Sequence, residues 1–317
     1  MLPLNDEPYL EIALGAAARR LGVPRGVLTA RALSRGVTHE TLLVLRESEP
    51  VAVFRLAPPR LEILPRHTPS EEGVLLQRLG KTPLPVPEVL ISDPDGRELG
   101  RPGLLLSYAP GESTLTWESL RARCGPGIAE HTLDLLCQMH AVPTDGWPDA
   151  AAADSHAQRD LDGARALAAR AGASAPAELM SALASLELAA PAPSGPACIV
   201  HGDYRPANLM ARDGQITGIL DWEMTTTGDP ACDLGIASMQ PWGTWWEDEE
   251  LLSRYAAGSA TEVPVVALLW WRCLGYAKVV AFLAARVRDG WGGGPGLRKW
   301  VDGMADERSA WQLALRG

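Results

Sequence analysis

Apolar residues at Leu10, Leu14, Ala17 and Leu21 recur at helical spacing and stop at Gly22, which predicts an amphipathic helix over residues 10–21. The period then shortens. Residues 41–45 and 51–56 are compact apolar runs separated by Glu47-Ser48-Glu49-Pro50, and they read as antiparallel strands joined by a turn. The polar stretch Ser34-Arg35-Gly36-Val37-Thr38-His39 before them reads as a Gly-containing loop, so two or three strands are expected here. A helix start follows: Thr68 caps, Pro69 takes the first helical position and Glu71 completes a capping box. Glu72, Leu75, Leu76 and Leu79 then share one face. A glutamate on an apolar face needs a cationic partner. Residues 87–91 and 103–108 are two further strands, with Asp93-Pro94-Asp95-Gly96 turning between them.

Beyond Pro110-Gly111 the pattern turns helical and alanine-rich to about residue 188. A Pro-rich connector at 190–196, which no helix continues through, leads into a strand at 198–200. From about Ala231 onward the chain reads as helical and tryptophan-rich. The expected plan is α+β: a small β-rich lobe over residues 1–106 and a larger, mainly helical lobe over 107–317, joined near 107–111. A length of 317 residues suits two packed lobes better than one core, and 46% hydrophobic residues with a mean hydropathy of -0.03 is a globular composition. The longest apolar run, 263–271, contains Pro264 and stops at Arg272. A bilayer span needs about 20 apolar residues, so a buried helix is expected and no membrane partner.

The first residues lack the basic and apolar regions of a secretory signal, and the five cysteines have no ligand-type spacing. Both point to reduced thiols and a cytoplasmic protein. A net charge of -10 argues against a nucleic-acid partner and mildly favours a neutral or cationic substrate.

Chemistry concentrates in one stretch: His201-Gly202-Asp203-Tyr204-Arg205-Pro206-Ala207-Asn208, then Ile219-Leu220-Asp221-Trp222-Glu223, then Gly228-Asp229-Pro230-Ala231-Cys232-Asp233-Leu234. Asp203 follows the strand at 198–200. Asp221 closes a second strand, 216–220, which a turn at Asp213-Gly214 pairs with its neighbour. Asn and Asp supply the oxygen ligands that a hard cation such as Mg²⁺ prefers, and a separate carboxylate can accept a hydroxyl proton. Phosphoryl transfer needs these parts, because its catalysis is mostly positioning and charge neutralisation. The spacing of Asp203 and Asn208 also follows the Asp-x-x-x-x-Asn step of the protein-kinase catalytic loop.

The assembled string resembles the aminoglycoside phosphotransferase and choline kinase superfamily. Within it, the similarity is greatest to phosphotransferase domains associated with acyl-CoA dehydrogenases, which carry a similar His-Gly-Asp-Tyr-Arg and a similar Leu-Asp-Trp-Glu. The resemblance extends over nearly the whole chain, more loosely outside residues 198–235. It implies a protein-kinase-like two-lobed fold, an antiparallel N-lobe sheet with one key helix, Mg²⁺, and ATP or GTP as phosphate donor. On the matching positions it makes Asp203 the catalytic base and Asn208 and Asp221 the Mg²⁺ ligands. His201 braces the loop, Arg205 reaches towards the γ-phosphate, and Asp233 hydrogen-bonds the catalytic loop. Arg55 and Glu72 stand where relatives pair a strand Lys with a helix Glu, and an arginine can make that pair bidentately. The glycine loop has one glycine where relatives often have two, and His39 replaces a frequent Asn. Phosphate contacts are expected there from backbone N–H groups around Gly36 and from the Thr38 hydroxyl. Ser107 and Tyr108, at the lobe junction, complete the nucleotide-binding set.

The expected activity is phosphorylation of a small-molecule hydroxyl, with a hydroxyacyl or hydroxy-acid compound favoured by the local match. An antibiotic or aminosugar acceptor is the alternative. A nucleotide-binding pseudokinase is a reading from another class, suggested by the single-glycine loop and Arg55 and opposed by the intact Asp203, Asn208 and Asp221. Glu223 is an acceptor-site candidate, and so are Trp242, Trp245, Trp246, Trp270 and Trp271, since aromatic faces suit sugars, rings and cations. His140 reads as a packed histidine, Glu247-Asp248-Glu249-Glu250 as a solvated helix start, and residues 292–296 as a loop. A monomer or homodimer is expected.

Overall fold

Glu47 and Ser48 both adopt left-handed backbone, φ 51° and 78°, as a two-residue hairpin loop requires. They join β2 (Glu40–Arg46) to β3 (Glu49–Leu56). With β1 (Leu28–Arg35), β4 (Val89–Asp93) and β5 (Gly103–Ser107) these strands form one antiparallel sheet in the order β1-β2-β3-β5-β4. The computed structural model describes residues 8–35, 39–57, 67–147, 150–290 and 294–316. The chain divides into two compact units. The first comprises Met1–Glu112, Leu209–Arg212 and Ile216–Thr225. The second comprises Ser113–Asn208, Asp213–Gln215 and Thr226–Gly317.

In the first unit, α1 (Pro8–Leu21) lays Leu10, Ala13, Leu14 and Ala17 against Leu28, Leu42, Val44, Phe54 and Leu56 of the sheet. Phe54 is fully buried, which is worth roughly 1.5–3 kcal/mol. α2 (Pro69–Leu79) starts on the expected capping box: Glu71 N–H donates to Thr68 Oγ1 and Thr68 N–H donates to Glu71 Oε2 at 2.8 Å. Its inward face holds Leu75, Leu76, Leu79 and Glu72. Gly73 lets the helix approach β5, since a Cβ there would lie 2.8 Å from the Leu104 side chain. β4 begins two residues later than residues 87–91 suggest, because Pro85 and Pro87 have no N–H for a ladder.

The second unit is helical around α9 (Val265–Arg288), against which α5 (His156–Ala171), α6 (Ala177–Leu188), α7 (Ala231–Ala237) and α10 (Gly294–Ala314) all pack. By length and composition α9 alone among the described residues could cross a membrane, yet 72% of its apolar window is buried inside the fold. That is the setting of a core helix. Arg272, 5% exposed on α9, donates to Asp248 at the start of α8 (Asp248–Ser259) and to Glu307 on α10. The loop expected over 292–296 is corrected in part: Pro295 and Gly296 lie in the first turn of α10, where a proline costs no hydrogen bond. The long helical region before residue 188 also contains α3 (Trp117–Cys124) and α4 (Ile128–His140), split at Gly125-Pro126. β6 (Cys198–Val200) pairs with β9 (Thr226–Gly228), and β7 (Leu209–Arg212) with β8 (Gln215–Ile219) through Asp213 and Gly214, φ 52° and 77°.

Candidate active site

β6 delivers the chain into the His201 to Asn208 loop of the second unit, and Gly202 takes the turn at φ 80°. Asp233, wholly buried on α7, fixes that turn. Its carboxylate accepts the N–H groups of His201 and Gly202, each at 2.8 Å, and His140 Nε2–H at 3.1 Å. Burial pushes the Asp233 carboxyl up, but the hydrogen bond and charge of His140, with His201 behind it, hold it below the ordinary aspartate value. His201 is itself buried, and its Nδ1 accepts the Asp203 N–H at 3.2 Å. The backbone before Asp203 is therefore fixed on both sides.

The Asp203 side chain remains 31% exposed, and its direction is set by two neighbours. Arg205 Nε–H lies 2.9 Å from both carboxylate oxygens, and Asn208 Nδ2 donates to Asp203 Oδ2 at 2.7 Å and to Asp203 O at 2.9 Å. With both amide hydrogens of Asn208 engaged, its Oδ1 is the atom left to ligate, and a hard cation takes such an oxygen. The Arg205 guanidinium in turn rests over Trp242, 5.1 Å from the ring centre, and Trp242 packs on Trp300.

In the first unit a cleft of about 600 Å³ is lined by the polar Arg55, Glu72 and Asp221 and by Ser107, Tyr108 and Ala109. Val53, Leu106, Met210 and Leu220 supply apolar walls suited to a flat base. Arg55 Nε donates to Glu72 Oε2 at 3.1 Å, which supplies the partner that this buried glutamate requires. Arg55 Nη2 donates to Asp221 Oδ1 at 3.0 Å and lies 3.4 Å from Glu223 Oε2. Burial pushes the Glu72 carboxyl up, and the charges of Asp221 and Glu223 add to it against the pull of Arg55. Three carboxylates thus share one guanidinium, a local excess of negative charge that a divalent cation would relieve. Asp221 is also held at φ 68°, ψ 63°, a left-handed conformation that is uncommon outside glycine.

The expected Arg55, Glu72, Ser107, Tyr108 and Asp221 come together in this cleft, and Asp203, Arg205 and Asn208 in the loop, with His201 and Asp233 beneath it. Gly36 and Thr38 lie outside the described residues. Two assignments are corrected. Trp270 and Trp271 are core residues, 0% and 2% exposed, with Trp270 Nε1 donating to Leu186 O and Trp271 packed on His156. The middle of α9 is enclosed by its neighbours, so neither indole offers a face to an acceptor. Glu223 is engaged by Arg55 and by His39, whose Nδ1 lies 2.9 Å from Glu223 Oε2, and it is not an open acceptor carboxylate. The sequence reading did not anticipate the contact of His39 with Glu223, that of Trp242 with Arg205, or the place of Met210 and Leu220 in the cleft wall. A buried trio elsewhere, His156, Asp160 and Cys232, brings ligand-type atoms within 4.8 Å of one another. There Lys278 already neutralises Asp160 at 2.7 Å, and His156 Nδ1 accepts the Asp229 N–H.

The antiparallel sheet with its Arg55–Glu72 pair, followed by a helical unit bearing an Asp-x-x-x-x-Asn loop, defines a protein-kinase-like phosphotransferase fold. Residues 29–269 match the Phosphotransferase enzyme family, and the chain belongs to that family. Among solved structures it is similar to a protein of Ralstonia eutropha described as an aminoglycoside phosphotransferase, with TM-score 0.69 and 18% identity over 96% of this chain and 98% of that one. A choline/ethanolamine kinase family protein from Mesorhizobium loti superposes with TM-score 0.64 and 17% identity, covering 95% and 94% of the two chains. The aminoglycoside phosphotransferase APH(2″)-IIa, solved with streptomycin and ATP, gives TM-score 0.62 and 18% identity over 96% and 99%. No curated protein matches the sequence.

Proposed function

We propose that this chain is an ATP- or GTP-dependent O-phosphotransferase that phosphorylates the hydroxyl of a small molecule. The observation that carries the reading is the Asp203 carboxylate, accessible yet aimed by Arg205 Nε and Asn208 Nδ2. A carboxylate so held accepts the acceptor's proton and orients its oxygen. Asn208 Oδ1 on the loop and the Asp221 carboxylate in the cleft are each an oxygen that would hold Mg²⁺, and the ion would supply charge neutralisation for the donor phosphates. Arg55, kept charged by its three carboxylates, binds the phosphate tail, and the apolar walls beside Ser107 and Tyr108 take the base. Structural neighbours solved with ATP, ADP, AMP and GDP support a nucleotide donor of either base. The similarity of the Asp203 and Asp221 strings to acyl-CoA-dehydrogenase-associated domains favours a hydroxyacyl or hydroxy-acid acceptor. The streptomycin complex of a structural neighbour makes antibiotics and aminosugars the second acceptor pool.

Mg²⁺-dependent ADP and GDP release against the two pools tests the reading, with Asp203→Ala protein alongside. Turnover with one pool should fall about 100-fold or more in the variant. An unchanged rate in Asp203→Ala, or a wild-type chain that binds no Mg²⁺–nucleotide, sinks the kinase reading; the second outcome also removes the nucleotide-binding pseudokinase.

A further inference from the structure

Arg55 faces its three carboxylates with two different edges. Its Nε is committed to Glu72 at 3.1 Å, while one nitrogen, Nη2, faces both Asp221 at 3.0 Å and Glu223 at 3.4 Å. The nearer carboxylate is the one that the proposed function needs for a metal ion. A guanidinium and a divalent cation on the same carboxylate oxygen repel each other at contact distance. When Asp221 turns to a metal, Nη2 must therefore find another acceptor, because Arg55 is only 12% exposed and an unpaired charge there is costly.

Glu223 is placed to be that acceptor. His39, buried to 2% exposure, donates from Nδ1 to Glu223 Oε2 at 2.9 Å, the same oxygen that faces Arg55. The Nδ1 proton goes to the carboxylate, so the 3.3 Å approach of Nδ1 to Arg55 Nη2 is a contact between two donors. His39 immediately precedes β2, whose Thr41 is the cross-strand partner of Arg55. The clamp is thus anchored on the strand beside the guanidinium that it serves.

We infer that Glu223, held by His39, is the positioning residue that takes over Arg55 when Asp221 engages a metal ion. The inference rests on the reading of Asp221 as a metal-binding carboxylate. It gives a reason for arginine at position 55. A lysine ammonium is a single point charge and cannot hold Glu72 with one edge while exchanging partners on another.

The test is a double-mutant cycle read by Mn²⁺ titration of the full chain without nucleotide, followed by electron paramagnetic resonance, with melting curves to confirm folding. Glu223→Gln removes one of the two carboxylates that face Nη2 among the described residues and should weaken Mn²⁺ binding about fivefold. Arg55→Lys retains a charge for Glu72 but removes the Nη2 contact to Asp221, and should bind Mn²⁺ more tightly than wild type. In that background Glu223→Gln should change the affinity by less than about twofold. His39→Ala should reproduce the Glu223→Gln loss, and His39→Asn, whose amide can still donate to Glu223, should restore it.

A Glu223→Gln loss that persists undiminished in the Arg55→Lys background would make Glu223 a direct ligand and overturn the inference. So would a Glu223→Gln protein with wild-type affinity. A wild-type chain that binds neither Mn²⁺ nor Mg²⁺ with ATP or GTP overturns the functional reading as well. One that binds both while the cycle is additive overturns this inference alone.

Discussion

Asp233 keeps its charge in complete burial because two backbone N–H groups and the His140 imidazole converge on it. Its native pKa lies below the ordinary aspartate value, so the native state binds its proton less readily than the unfolded chain does. The stability it contributes is therefore present above about pH 4 and is lost as the pH falls through the depressed native value. Asp233→Asn offers one acceptor to three donors and should cost about 3 kcal/mol at pH 7. Urea unfolding at pH 7 and pH 3 checks this: the wild type should lose more stability than the variant over that interval, and equal losses would contradict the assignment. Residue-level placement was legible where local spacing defines it: Asp203 and Asn208 share the loop after β6, and Asp221 lies in the cleft with Arg55. The His39–Glu223 pair, 184 residues apart in sequence, was not, because only tertiary structure brings it together. Trp270 and Trp271 failed for a related reason, since an indole's type does not reveal whether a neighbouring helix covers it.

Elements were legible in proportion to their boundary signals. α2 carries a capping box, a first-turn proline and a single apolar face, and the structure reproduces each of them. β1 was only partly anticipated, because Ala30 and Ala32 stand where a stronger strand signal would have Val or Ile, and as an edge strand it needs less apolar surface. α10 was obscured at its start by the glycine-rich sequence that precedes it. What ties α8, α9 and α10 together is likewise invisible locally: Arg272 sits at 2.6 Å from Asp248 and 2.9 Å from Glu307. Burial pushes the Glu307 carboxyl up, against the pull of Arg272, so this carboxylate depends on the arginine for its charge. Arg272→Met should destabilise the chain by about 3 kcal/mol, because it leaves the buried Glu307 carboxylate without its arginine partner. Adding Glu307→Gln should recover part of that loss. A variant as stable as the wild type in urea titration would show that the helices hold without the ion pairs.

At the scale of the whole molecule, chemistry is distributed between two units defined by their own internal contacts. The unit containing residues 1–112 also takes in 209–212 and 216–225, so Asp221, Glu223, Met210 and Leu220 accompany Arg55 and Glu72 although about half the chain separates them in sequence. The other unit holds Asp203, Arg205 and Asn208 on the loop after β6. Asp203 is proposed to serve the transfer step and not nucleotide binding. The most direct measurement is Asp203→Asn protein examined twice, by calorimetric titration with Mg²⁺–ATP or Mg²⁺–GTP and by phosphate transfer to the acceptor. The nucleotide Kd should stay within about twofold of wild type while turnover falls by about 100-fold or more. Turnover equal to wild type, or a loss of nucleotide binding large enough to explain the lost activity, would contradict it.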